Sequence, residues 1–222
     1  MRFAQTPPTK AASAVYVALT AQVLSLAALV VFERMRGNSL AHQLAVYGGR
    51  PRGADADAVV GAVTVFAVLM MVLVCTTVAA ACAYLTWLVR ARQANNRFAP
   101  AGPAVAAWLV PGVNLLAPVV LLDEVWRGAR PPLDRRHRWV ALLGAWWVAW
   151  LAVLALFLVK LPLETGKSTL TGVGPLELAV TVAAAVLCAF TVHDVTRIQE
   201  SAMGAPRLLA RLKRLPVSEL SN

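Results

Sequence analysis

Asp123 and Glu124 stand side by side near the polar end of the apolar stretch AAWLVPGVNLLAPVVLLDEVW (residues 106–126). Two carboxyls invite an acid–base reading, but neighbouring residues on a helix diverge by about 100° and cannot act as a facing pair. Their charge is better matched to Arg90, Arg92 and Arg127, with Asn95 and Trp126 beside them, as a cluster at a membrane interface. Cys75 and Cys82 are seven apart and share a helix face, and Cys188 lies far along the chain; free cysteines of this kind are small apolar packing residues. His42, His137 and His193 have no metal-ligand spacing. No catalytic residue, metal site or cofactor is expected from these side chains.

The elements that must hold this cluster are helices in a bilayer. Hydrophobic residues make up 59% of the 222 and charged ones only 14%, with mean hydropathy +0.66, whereas a soluble domain carries about a quarter charged. Four long runs, roughly Ser13–Phe32, Ala58–Val89, Trp139–Val159 and Pro175–His193, are nearly free of charge. A helix needs about 20 such residues to cross a hydrocarbon core of about 30 Å. The second run exceeds that and must tilt or protrude. Arg2 and Lys10 precede the first run, but its length and its end at Phe32-Glu33 point to a retained helix rather than a cleaved signal. Pro175 suits the first turn of the last helix, with Gly174 closing the loop before it. Trp126 and Trp139 flank apolar runs, where an indole N–H can reach headgroups. This predicts an all-α integral membrane protein with a short cytoplasmic N-terminus (1–12), one multi-helix membrane domain (13–199) and a basic tail (200–222).

The stretch of residues 106–126 is the undecided element. Pro111 and Pro118 each remove a backbone donor and collide with the preceding turn, Gly112 loosens the chain, and Asn114 can cap a helix starting at Leu115. Two half-helices, Ala104–Val110 and Leu115–Arg127, then meet at a hinge made by Trp108, Pro111, Gly112, Asn114 and Pro118. Each is close to half the core thickness, which suits a re-entrant or half-spanning hairpin; the alternative is a fifth span. With four spans, fifteen Lys and Arg fall inside and six outside; with five, the split is fourteen to seven. Charge leaves both open, and the hinge chemistry favours re-entrance. In both cases the C-terminus is cytoplasmic, where Leu208, Leu212 and Leu215 beside Arg207, Arg211, Lys213 and Arg214 suit a short basic amphipathic helix on anionic lipid, the alternative being a disordered basic tail. The formal charge of +10 is accounted for by that inner leaflet, and no nucleic-acid motif accompanies it.

The spacing Trp87, Arg90, Arg92, Asn95, Pro103, then Trp108-x-x-Pro111-x-x-Asn114-x-x-x-Pro118, then Glu124-x-Trp126 resembles a bacterial membrane family catalogued as domain of unknown function 4328. Trp146-Trp147 and Trp150 resemble the tryptophan-rich helix that follows in that family. The resemblance covers roughly Ala58 to Gln199. It departs where the family has Gly-Trp and this chain has Ala104-Val105, and where tryptophan follows Asn-Leu and this chain has Leu116. It implies a multi-helix membrane fold around the Pro-x-x-Asn hinge and no reaction. The expectation is therefore a multi-pass plasma-membrane protein acting as a structural, regulatory or interaction component without catalytic activity. It would be partnered by lipid, by its own copies or by another membrane protein, the small faces Ala79–Ala83 and Ala183–Ala185 allowing close approach. A small-molecule or lipid transporter using the broken helix around Asn114 is the alternative. No ionisable residue lies mid-span, which counts against ion coupling.

Overall fold

The computed structural model describes residues 8–37, 39, 56–110, 112–160 and 173–212, with side-chain surroundings further restricted near some of these limits. Among them every regular element is helical: α1 (Thr9–Phe32), α2 (Ala56–Asn95), α3 (Gly102–Leu109), α4 (Ala117–Gly128), α5 (Arg136–Lys160) and α6 (Pro175–Leu212). Short helical turns add Glu33–Gly37 after α1, Val113–Leu115 before α4 and Leu133–Arg135 before α5. Four helices, α1, α2, α5 and α6, are long and apolar enough to cross a membrane. They match the four apolar runs in order and are each longer, because the helices continue through the polar ends of the runs. Large apolar side chains remain exposed along α2, among them Val60, Met71, Val74 and Val78. Such a face is costly in water and suited to lipid. The chain is a helical membrane protein.

Contacts divide the described residues into two compact units. The first takes the described parts of Val15–Cys82 and Gly144–Cys188. Several of its polar side chains are satisfied locally, as a hydrocarbon environment favours. The hydroxyls of Ser25, Thr64, Thr76 and Thr77 donate to carbonyls one turn back, and Gln22 Nε2 donates to Thr77 Oγ1 at 3.2 Å, tying α1 to α2. Trp147 stacks on Trp150 at 4.9 Å. Pro175 does open α6, and the Gly174 N–H donates to Glu177 Oε2 at 2.7 Å, so an acidic residue closes the first turn.

The second unit takes the described parts of Met1–Ala14, Ala83–Leu143 and Ala189–Asn222. Its core is Trp87, Leu88, Ala91, Ala104, Ala107, Leu122, Val125, Trp126, Trp139, Leu143, Val192 and Val195. It contains the whole α3–α4 segment and the charged cluster read from the sequence.

Candidate functional site

The site begins with how the chain leaves and re-enters its long helices. After α2, Asn96 Oδ1 accepts from the Phe98 N–H at 3.1 Å and Arg92 Nη1 donates to Pro100 O at 3.3 Å, closing a tight turn into α3. Pro103 occupies the first turn of α3, where its missing N–H removes nothing the helix would use. The hinge then intervenes. Gly112 sits at φ +84, a conformation that glycine adopts without steric cost, and its surroundings are open. Trp108 packs edge-on against Tyr84 at 5.3 Å, which anchors the hinge to α2. Pro111 lies outside the described residues.

Asn114 does not cap α4. It lies within the turn Val113–Leu115, the preceding position of α4 is Leu116, and no side chain caps that end. Two extra residues separate Asn114 from the helix start, because Pro118 at the first turn of α4 sets where the helix can begin. Its buried Oδ1 has no hydrogen-bond partner among the described residues. The helix therefore starts at Ala117, not Leu115.

α4 ends at Gly128, Arg130 turns the chain at φ +54, and Pro131-Pro132 stops any continuation. The short turn Leu133–Arg135 then delivers Arg136 at the start of α5 opposite Asp123. Asp123 accepts hydrogen bonds from Arg127 one turn on, from Arg136 through both terminal nitrogens, and from Trp139 Nε1 at 3.0 Å. Its side chain is only 12% exposed. Burial alone would push its carboxyl up, but the bonds from Arg136, Arg127 and Trp139 outweigh that and hold it down at about 2. Such a group stays charged at neutral pH and fixes cations; it is no proton donor there.

The tryptophans expected at the headgroups are instead interior. Trp126 and Trp139 are buried and stacked at 5.4 Å and 7°, with Arg136 over the Trp126 ring at 5.4 Å. Their N–H groups are used on Asp194 and Asp123 rather than on lipid. An indole buried on both faces satisfies its donor internally, and two carboxylates on neighbouring helices supply the acceptors.

Of the predicted charge cluster, Glu124 meets Arg92 at 3.9 Å, while Arg90 is exposed and Asp123 turns to Arg127 and Arg136. Asn95 bridges helices: its Nδ2 donates to Val125 O at 2.6 Å and its Oδ1 accepts from Gln199 Nε2 at 3.0 Å. Residues 50–200 match the family described as Domain of unknown function (DUF4328). The chain belongs to that family. No curated protein and no solved structure matches it.

The DUF4328 segment runs from six residues before α2 to just past Gln199 and so contains every residue of this network. Sequence reasoning missed Arg136, Trp139, Asp194, Thr196 and Gln199 as members. A signal did exist on α6: Val192, Val195, Thr196 and Gln199 recur at helical spacing and are all buried, so two polar side chains sit inside an inward stripe. Thr196 Oγ1 accepts from Trp87 Nε1 at 3.1 Å, and Gln199 Nε2 also donates to Ala91 O at 2.8 Å. Among the described residues of this DUF4328 protein, no three His, Cys, Asp or Glu side chains gather in a group that could share a metal ion. Alongside the network, α4 and α5 border a groove of about 750 Å³ lined by Val119, Val120, Asp123, Glu124, Arg127, Gly128, Arg136, Val140 and Leu143.

Proposed function

We propose that this DUF4328 protein is a non-catalytic structural or interaction component of the bacterial cell membrane. In this reading both termini are cytoplasmic, and α3–α4 dips into the bilayer and returns to the side it left. The observation that carries it is the meeting of Glu124, at the far end of α4, with Arg92 at the end of α2. A segment that crossed the bilayer would leave these two about 30 Å apart. The polar side chains between them support a holding role. Asp123, Asn95 and Gln199 each bond groups on other helices, and a carboxylate held near 2 is ill suited to proton transfer at neutral pH. Anionic inner-leaflet lipid and a second membrane protein or copy are the partners this reading implies.

Disulfide trapping in native membranes tests it. With Cys75, Cys82 and Cys188 replaced by alanine, Arg92→Cys with Glu124→Cys should crosslink within one chain under mild oxidation. Failure of that pair, with Glu124→Cys labelled from the periplasmic side by an impermeant thiol reagent, replaces the returning hairpin with a fifth crossing.

A further inference from the structure

The groove beside the Asp123 network has two unlike ends. One is charged, with Arg127, Arg136, Asp123 and Glu124; the other is apolar, with Val119, Val120, Val140 and Leu143. These ends follow the helix axes. Val140 and Leu143 lie one and two turns beyond Arg136, about 6 and 10 Å deeper along α5. On α4, which runs toward the interface as α5 runs away from it, Val119 and Val120 precede Asp123 by about one turn. Charge at the mouth and aliphatic side chains toward the bilayer interior are the profile of a phospholipid, headgroup to acyl chain. A volume of about 750 Å³ falls in the range of small-molecule sites.

The charges select among headgroups. The lining carries two arginines and two carboxylates, with Arg92 at 3.9 Å from Glu124 beside it, so a headgroup that offers both an anion and a cation matches it better than one that offers an anion alone. Asp123 is already enclosed by Arg127, Arg136 and Trp139 and serves to position both guanidiniums. Arg127 bonds Asp123 through Nη2, and its side chain is 66% exposed, so the remaining donors of its fork face outward. Glu124 is 65% exposed and its contact with Arg92 is long, at 3.9 Å. A phosphate can therefore sit on Arg127 and Arg136 while a primary ammonium donates to Glu124. We infer that this groove binds a zwitterionic phospholipid with a primary-amine headgroup, phosphatidylethanolamine in chemistry, with one acyl chain laid along the valines and Leu143. A choline headgroup has no N–H for Glu124, and a glycerol headgroup leaves Glu124 facing a net anion.

The inference rests on the returning-hairpin reading for its depth, and its test fails separately from the crosslink. The full chain in mild detergent is titrated with phosphatidylethanolamine, phosphatidylcholine and phosphatidylglycerol of equal acyl length, and retention is read by native mass spectrometry. Phosphatidylethanolamine should be retained best. Arg127→Gln should weaken retention of all three about tenfold, as loss of a charge-assisted hydrogen bond does. Glu124→Gln should abolish the preference over phosphatidylcholine, and Arg90→Gln, outside the groove, should change nothing. Val120→Trp, which fills the apolar end without touching a charge, should expel the lipid and covers the case in which Arg127→Gln does not fold. Equal or better retention of phosphatidylglycerol overturns the inference, as does an unchanged preference in Glu124→Gln. Displacement of the lipid by millimolar inorganic phosphate alone would show an anion site and overturn it too.

Discussion

Asp123 shows how one side chain changes meaning with its surroundings. In the sequence it is half of an adjacent acidic pair; in the fold it is the acceptor on which Arg127, Arg136 and Trp139 converge. Its carboxyl lies at about 2 against an ordinary 3.8, so the folded state favours the ionised form. The stability this gives is full above about pH 4 and is lost as pH falls toward 2, where the folded carboxyl takes up its proton. A shift of that size corresponds to about 2 kcal/mol. Thermal midpoints in detergent should therefore fall between pH 4 and pH 2 in the native chain. Asp123→Asn should start lower at pH 7 and lose that acid-dependent part; an equally steep acid loss in the variant would assign it to other carboxylates. The adjacency of Asp123 and Glu124 was legible, and so was Arg127 one turn on. Arg136 was not, because a turn through Arg130 and two prolines had to reverse the chain before it could arrive.

Between elements, the α2–α4 contact depends on a missing side chain. A Cβ added at Gly128 would come within 2.7 Å of Asn95 Nδ2 and 3.2 Å of Asn95 Cγ. Asn95 could then no longer reach the Val125 carbonyl, 2.6 Å away. Gly128→Ala should accordingly lower stability by about 1 kcal/mol through the lost hydrogen bond, because Gly128 is the last residue of α4, where the advantage of alanine as a helix former, about 1 kcal/mol in a helix interior, is small. Asn95→Ala separates the effects, since in that background Gly128→Ala should become neutral or stabilising. Additive losses in the double variant would mean that the glycine and the asparagine act independently. The same scale explains the hinge. Proline and glycine at residues 111–118 announced a break, and a break is present between α3 and α4. The new helix starts two residues later than Asn114 suggests, because Asn114 and Pro118 both propose a start and Pro118, in the first turn of the helix packed against α3, sets it.

For the molecule as a whole, the four spans set an expected sidedness that a single experiment reads. With the native cysteines replaced, Ser13→Cys at the start of α1 should resist an impermeant thiol reagent in intact cells and react once they are opened. Labelling in intact cells would place the N-terminus outside, exclude the four-span arrangement and leave the five-span alternative with its split of fourteen to seven. Composition and periodicity alone determined the class of this protein, its four long apolar helices and the location of the break, because each follows from local chemistry: apolar runs must be helical in lipid, and proline must interrupt them. The spacing of Trp, Pro and Asn also carried the family resemblance, which the match over residues 50–200 bears out. Tertiary structure alone decided which charges meet. Trp126 and Trp139 turned inward to Asp194 and Asp123, Gln199 reached Asn95 across more than a hundred residues, and Glu124 returned to Arg92. Those pairings depend on where helix ends land after the chain turns, and a pattern of 3.6 residues per turn records which way a side chain points along its own helix but not what stands opposite.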